Sequence, residues 1–526
     1  MPAPRPVKYV LTLVASLTLT ACTLGPSQRP ALATFGAPGT AEGTTTVSSP
    51  PPIGPGGLGQ RADPIRWNSC GDVPSVDAPT GISFTVDCAS VEVSGASAST
   101  FGDQTIEVAR ARAPGVSENA PAVVVLQGQP GERGRSEIAS VAAGLSPAVR
   151  EHYAVIVVDL PGTGRSDPID CLTTSDARTL TSLGVDPTEP AAAAALAELS
   201  RSLTFECGDL AGPELSLANS TTAADALDAV RAALGASTLT LIGRGFGATL
   251  AAVYADRYPA RVGAAVLDAP SDPLDDPTAR AAAVAVAAEK AVDALAASCP
   301  SFDGGCPLGP DPRARIEQAV TALDEAAGAR PGSAQTNGGT VLLTLLLRLG
   351  ATGQWPQLAS ALNAAAAGNG QPVERLLTDS LGGNSSGDSS DWLNASIIYG
   401  CNDTTLRISP EQLAAAVDQV RPEAPLLGPF TIGLLGVCTS WPAPEAALGA
   451  VKATGAAPIL ITAAVDDPVA PYAAVRSLTG QLGSATLISW QSGQHGSYPE
   501  SPCVTAAVDS YLLGGELPAV GSLCPP

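Results

Sequence analysis

A chain of 526 residues, 45% hydrophobic and 15% charged, has apolar material for a large core and room for an inserted second domain. Its 50 acidic and 28 basic side chains give a net charge of −22 with no Lys/Arg cluster, which excludes nucleic acid and anionic headgroups as electrostatic partners. With two histidines and no C-x-x-C pair there is no ligand set for zinc, and no metal or other cofactor is expected.

Residues 1–22 place Arg5 and Lys8 before an apolar stretch, Tyr9 to Leu19, that closes Leu19-Thr20-Ala21-Cys22. So short an apolar core is an export signal and not a membrane span. Its ending resembles a bacterial lipobox, which implies that Cys22 is lipidated and opens the mature chain. Residues 23–66, rich in Pro, Gly, Ser and Thr without apolar periodicity, predict a flexible tether. Its root-mean-square reach is roughly 35 Å. The expected location is the extracytoplasmic face of a cell membrane, with the lipid on Cys22 as the anchor. Ten of the eleven cysteines follow Cys22, an even number that in an exported chain points to disulfides. Pairing is not deducible from sequence; joining each cysteine to its neighbour gives Cys70–Cys88, Cys171–Cys207, Cys299–Cys306, Cys401–Cys438 and Cys503–Cys524.

Residues 67–270 predict the first part of an α/β core. Gly81–Val93 and Thr105–Ala113 read as strands, and Ala122–Leu126, Ala154–Asp159, Thr238–Ile242 and Ala264–Leu267 as strands buried on both faces. Between them, Ser136–Tyr153 and Thr222–Leu234 carry helical periodicity. This alternation predicts a mostly parallel sheet with helices on both faces. From 271 to 455 the rhythm changes to Ala-rich helices, Ala279–Ala297 and Arg313–Ala327 among them, with Gly/Asn/Ser-rich loops such as 382–390: a helical cap. Residues 456–526 resume the core with strand Ala457–Ala464, helix Tyr472–Leu482, strand Ala485–Trp490 and helix Val504–Leu513.

Three places carry the chemistry. Residues 241–250 read Leu-Ile-Gly-Arg-Gly-Phe-Gly-Ala-Thr-Leu between a strand and a helix, the G-x-S-x-G spacing of a nucleophile elbow with Gly245 where the serine belongs. After strand Ala122–Leu126, the turn Gly128-Gln129-Pro130-Gly131 could present the N–H of Gly128 or Gln129, together with that of Phe246, as an oxyanion hole. Asp467 and His495 follow the last two predicted core strands, as the acid and base of a triad do; Asp466 is adjacent to the acid. Asp159-Leu160-Pro161-Gly162-Thr163-Gly164-Arg165-Ser166 leaves another strand and is either a fourth part of the site or a plain turn. Thr249 and Ser497 are poor substitutes for the nucleophile, the first pointing away along the helix and the second having to reach from another loop.

The order elbow, acid, histidine is that of the α/β-hydrolases. The Gly128–Gly131 loop, Asp159–Ser166, the elbow with Tyr254 and Pro259, Asp268, Cys401-Asn402-Asp403, Cys438-Thr439-Ser440-Trp441-Pro442, Asp467 and His495 together resemble the secreted tripeptidyl aminopeptidase-like branch, serine exopeptidases that actinobacteria export. The resemblance implies an α/β-hydrolase fold with a large helical cap and a site for a small peptide or acyl ligand. Two departures stand out: Gln127-Gly128-Gln129-Pro130-Gly131 in place of a His-Gly-Gly-Pro-Gly type of loop, and Gly245. Glycine offers no oxygen for His495 to activate, and loss of the serine costs roughly 10⁶ in kcat where it has been measured. The expectation is a catalytically impaired hydrolase that keeps its pocket; the alternative is an active peptidase or esterase that uses water on His495 or an unrecognised nucleophile. Gly243-Arg244-Gly245-Phe246-Gly247-Ala248 with Asp268 also satisfies a dinucleotide fingerprint on paper, though it falls on the third strand of the sheet and leaves Asp467 and His495 idle.

Overall fold

The computed structural model describes residues 64–71, 81–93, 104–132, 134–274, 276–328, 336–382, 390–444 and 447–526. The residues read as an export signal and tether, up to residue 63 and including Cys22, and most of the loop at 382–390 lie outside these residues. In chain order the first part is β1 (Asn68–Ser69), β2 (Thr85–Val93), β3 (Gln104–Arg112), β4 (Ala122–Leu126), α1 (Ile138–Ala143), α2 (Pro147–His152), β5 (Ala154–Val158), α3 (Thr174–Thr181), α4 (Pro190–Ala211), α5 (Ser220–Ala233), β6 (Leu239–Arg244), α6 (Phe246–Arg257) and β7 (Val262–Asp268). Helices follow: α7 (Pro277–Ser298), α8 (Pro312–Gly328), α9 (Gly338–Arg348), α10 (Trp355–Ala366), α11 (Gln371–Ser380), α12 (Ser390–Asn402), α13 (Pro410–Val420) and α14 (Gly428–Gly433). The chain closes with β8 (Ile459–Ala464), α15 (Tyr472–Gln481), β9 (Ala485–Trp490), α16 (Pro502–Gly514) and β10 (Leu523–Cys524). Among the described residues no helix is long and apolar enough to cross a membrane.

The strands form one sheet in the order β1-β2-β3-β5-β4-β6-β7-β8-β9-β10. Pairs up to β3–β5 are antiparallel, and every pair from β5 onward is parallel. This is the α/β-hydrolase sheet. After β4 the chain steps to one side for β5 and then returns to the other side of β4 for β6. The carboxyl ends of β4 and β6 therefore flank the switch in direction where open α/β sheets place their sites. β5 (Ala-Val-Ile-Val-Val) and β8 (Ile-Leu-Ile-Thr-Ala-Ala) are buried at every position, because helices cover both faces. Alternate side chains divide between two cores: Val155 and Val157 pack with Ile138, Val149 and Val504, while Ile156 and Val158 pack with Leu227, Leu250 and the cap.

Sequence boundaries move, three of them for reasons the hydrogen bonds show. The single helix expected over Ser136–Tyr153 is two, because Ser146 caps a new start: its hydroxyl accepts the Val149 N–H at 3.2 Å and Pro147 sits at the first helical position. Ile65, expected in the tether, donates its N–H to the Ala233 carbonyl at 2.9 Å and so belongs to the folded body. Residues 173–217, placed with the core, form α3, α4 and a 3₁₀ turn that bond to the cap: Asn337 Nδ2 to Ser182 O at 2.8 Å, Ser440 N to Ser200 Oγ at 2.8 Å, and Arg421 to Asp186 at 2.8 Å. The cap is thus built from two stretches of chain, one after β5 and one after β7.

The disulfides are Cys70–Cys88, Cys171–Cys207, Cys299–Cys306, Cys401–Cys438 and Cys503–Cys524, neighbour with neighbour. Stabilisation by restricting the unfolded chain grows with the loop closed, and the separations are 37 residues for Cys401–Cys438 and 7 for Cys299–Cys306. Replacing both cysteines of the first pair by alanine is expected to lower the unfolding free energy by about 4 kcal/mol, and of the second by about 2 kcal/mol. Urea denaturation of the two double variants measures both; equal losses would contradict the chain-entropy account.

Candidate active site

β6 ends at Arg244 and α6 begins at Phe246, so Gly245 alone makes the turn, at φ +52° and ψ −117°. A side-chain-bearing residue holds such backbone only at a cost on the order of 1–3 kcal/mol. Gly243 and Gly247 are required for a different reason: a β-carbon on the first would collide with the Gly247 carbonyl, and on the second with the Leu126 carbonyl. The elbow is therefore held tightly between β4 and its own helix.

His495, on the loop after β9, reaches this turn. Its Nδ1 lies 2.9 Å from Asp467 Oδ2 and 3.1 Å from Oδ1. The carboxylate only accepts, so Nδ1 carries the proton and Nε2 presents a lone pair. Nε2 in turn lies 3.5 Å from where a β-carbon on Gly245 would stand. Asp467 is buried and aimed by two backbone donors, the N–H of Val469 at 2.8 Å and of Ala470 at 3.0 Å. Asp466 is exposed.

Asp268 anchors the surrounding loops. Its carbonyl accepts the Gly245 N–H at 2.8 Å, and its buried carboxylate accepts Thr462 Oγ1 at 2.6 Å, Ser497 N at 2.9 Å, Ser497 Oγ at 2.8 Å and Tyr498 N at 3.3 Å. Ser497 is thereby tied up and fully buried, and Thr249 bonds to Ser271. The same bonds overturn the dinucleotide reading: the Asp268 carboxylate has no room for a ribose hydroxyl. The Asp159–Ser166 stretch is a turn closed on itself by Ser166 Oγ to the Asp159 carbonyl, and none of its residues lines the cavity described below.

Two of the three donors expected in the oxyanion hole, Phe246 and Gly128, are occupied. Phe246 donates its N–H to the Gly128 carbonyl at 2.9 Å, Gly247 donates to Gln127 at 2.9 Å, and Gly128 N–H donates to Glu132 Oε2 at 3.3 Å. Of the named donors, Phe246 and Gly128 both serve internal acceptors; the Gln129 residue instead accepts from Glu132 N at 3.4 Å through its carbonyl. The sequence could not show this, because the peptide's orientation depends on Glu132 and the cap. Burial pushes the half-buried Glu132 carboxyl above its usual range, against the Gly128 hydrogen bond and the charge of Arg244. Gly131, at φ +80°, lies so close to α12 that a β-carbon there would stand 2.6 Å from the Asp391 carbonyl. Arg244, read in the sequence as a spacer, donates from Nη2 to the His495 carbonyl at 2.7 Å.

A cavity of about 490 Å³ opens over Gly245, Phe246 and His495 and is roofed by cap residues including Arg280, Tyr399 and Asp403. A profile of a family described as "TAP-like protein" matches residues 424–524, a span that contains Asp467 and His495. The chain is 27% identical over 485 residues to serine protease Hip1 of Mycobacterium tuberculosis, covering 89% of this chain and 91% of that one. It is also 27% identical over 474 residues to carboxylesterase B of the same organism, covering 88% and 90%. The chain has the α/β-hydrolase fold, and over these spans it is similar to TAP-like proteins. A tripeptidyl aminopeptidase of Streptomyces lividans is 24% identical over 382 residues, 71% of each chain.

One carboxyl in the cavity makes the protein's stability depend on pH. Burial pushes Asp403 up to about 6 although both its oxygens accept from Ser220, and burial likewise pushes Asp159 up to about 6. Each is held more protonated folded than unfolded, so its contribution is fully present below the ordinary value of 3.8 and is lost as pH rises through about 6. Unfolding free energy from these two groups is expected to fall between about pH 4 and pH 7, and Asp403→Asn to remove its share of that slope. Urea titrations across the range measure it; an unchanged slope in the variant would contradict the assignment.

Proposed function

We propose that this protein is an exported, lipid-anchored member of the TAP-like family that keeps a pocket for a peptide or acyl ligand and lacks serine-hydrolase turnover. The observation that carries the reading is the pairing of an intact Asp467–His495 dyad with a glycine at the point His495 faces. The Gly128 carbonyl on the Phe246 N–H is a second, separate obstacle, since a developing oxyanion would meet an acceptor there. Restoring only the nucleophile therefore leaves the site incomplete. The intact dyad also supports a second reading, hydrolysis by water on His495 or by another hydroxyl such as Ser396, which lines the cavity and has no hydrogen-bond partner among the described residues.

The natural protein is expected neither to label with fluorophosphonates nor to turn over small amides and esters. Gly245→Ser is expected to label slowly, its Oγ within reach of His495, and to turn over at roughly 10²–10³ below a site with an open hole. Labelling or ordinary turnover by the natural protein, abolished by His495→Ala, would overturn the first reading, and loss in Ser396→Ala would identify the nucleophile. For the anchor, Cys22→Ala is expected to move the protein from membranes into the medium or to block its processing. Natural protein found in the cytosol with residues 1–22 uncleaved would rule out the export reading.

A further inference from the structure

Val469 and Ala470 line the cavity over Gly245; Asp467 and Pro471, on either side of them in the chain, line a second and larger one of about 1050 Å³. Helix α7 forms its length. From Ala279 to Ala294 the side chains this helix presents to the cavity are alanines and Val286, Lys290 excepted, so the helix fills little of the space before it. At one helical rise per residue that wall is roughly 22 Å long. Facing it are the apolar side chains of Trp355, Val420, Ile432 and Pro471, buried or half-buried.

The polar groups of these walls are already used. Trp355 Nε1 donates to the Leu349 carbonyl at 3.0 Å, the Tyr472 hydroxyl pairs with Ser489 Oγ at 2.7 Å, and Thr352 gives its N–H and hydroxyl to Gln494 Oε1, each at 2.9 Å. Asp467 is held by His495 and by the N–H groups of Val469 and Ala470. Thr278, beside the Asp276 cap of α7, is the one half-buried polar side chain left. A hydrogen-bonding ligand would give up water here for nothing, whereas a hydrocarbon chain gains from burial alone. The charges lie at the exposed rim: Asp276, Glu423 and Asp466 against Lys290, the only cation among the described lining residues. Asp276 gives one oxygen to the N–H groups of Thr278 and Ala279 and keeps its charge; Arg280, one turn along, lines the other cavity. With −22 on the whole chain, an anionic head group at this rim is repelled and a cationic one attracted.

We propose that this second cavity binds one long-chain amphiphile with a cationic head group, its hydrocarbon chain lying along α7 and its ammonium at the acidic rim. A volume of about 1050 Å³ is at the upper end of small-ligand sites, and an elongated space with no free hydrogen-bonding groups suits a single extended chain. The site is separate from the one over Gly245, and its occupation does not depend on whether residue 245 supports turnover.

Calorimetric titration with octyltrimethylammonium, dodecyltrimethylammonium and laurate, each kept below its micelle concentration, tests chain and head group separately. Burial of a methylene tightens binding roughly fourfold, so the dodecyl cation is expected to bind on the order of a hundredfold more tightly than the octyl one, with a stoichiometry of about one per protein. Laurate should bind about tenfold or more weakly than the dodecyl cation at low ionic strength, and the gap should narrow as salt is added. Ala287→Trp, which places an indole in the space beside α7, should abolish the tight phase, and Asp466→Asn should reduce the preference for the cation while the dependence on chain length stays. Saturation at many equivalents, no gain with chain length, or unchanged tight binding by an Ala287→Trp protein with the natural circular dichroism spectrum would overturn the cavity as the site. Equal or tighter binding of laurate would overturn the cationic head group. If none of the three binds, the proposal fails; binding of a basic amphipathic helical peptide in their place would assign the cavity to a protein partner instead.

Discussion

Asp268 joins the parts of the site that come from separate strands. It ends β7, its carbonyl takes the Gly245 N–H of the elbow, and its carboxylate takes the Thr462 hydroxyl of β8 and two N–H groups of the histidine loop. Hydrogen bonds to a charged acceptor are worth about 1.5–3 kcal/mol each, and a buried carboxylate stripped of them carries a desolvation penalty of several kcal/mol. All these donors are therefore held together or lost together. This explains how His495 keeps its aim at residue 245 although nothing there can be deprotonated: the loop is fixed from below by Asp268 and Asp467, independently of a nucleophile.

Gly245 and the Gly128 carbonyl condition one another. The first N–H groups of a helix have no partner within it, and a buried one left unpaired is unfavourable. In a working elbow that unpaired donor is what binds an oxyanion; here the Gly128 carbonyl satisfies it at 2.9 Å. The approach is possible because residue 245 has no side chain, since a β-carbon would stand 3.0 Å from that oxygen, closer than side chains ordinarily come. A serine would press on the loop as well as adopt a strained backbone. A glycine at 245 thus offers no hydroxyl and permits the contact that covers the Phe246 N–H, so one residue bears on two elements of the site.

The framework was legible in the sequence where local and tertiary demands agree. Ala122–Leu126 and Ala485–Trp490 form as read, because continuous apolar runs flanked by turn residues suit strands covered on both faces. The strand read from Ala457 begins at Ile459 instead, after a proline whose ring nitrogen has no hydrogen to donate. Helices α3 and α4 sit in a stretch read as core; their place in the cap is decided by side chains such as Ser200 and Asp186, whose partners lie more than two hundred residues away. The oxyanion loop was legible as a turn and not as a set of donors. Where a peptide points depends on what lies on each side of it, here Glu132 and the N–H of Phe246, and no local pattern encodes that.

The cap also holds the histidine, which limits how a ligand can enter. His495 N–H donates to the Gly350 carbonyl at 2.8 Å, and Gln494 Oε1 accepts both the N–H and the hydroxyl of Thr352 at 2.9 Å. Gly350 packs so closely that a β-carbon on it would stand 2.5 Å from that of His495. Lifting the cap as a body would break all three hydrogen bonds and pull on the loop that Asp268 and Asp467 fix from the sheet side. The pocket therefore fills through an opening in its wall, and the exposed side chains of Leu274, Asp276 and Thr405 among its lining residues mark where that opening lies. A ligand that passes Leu274 meets Arg280, six residues along the same segment, as a charge near the entrance.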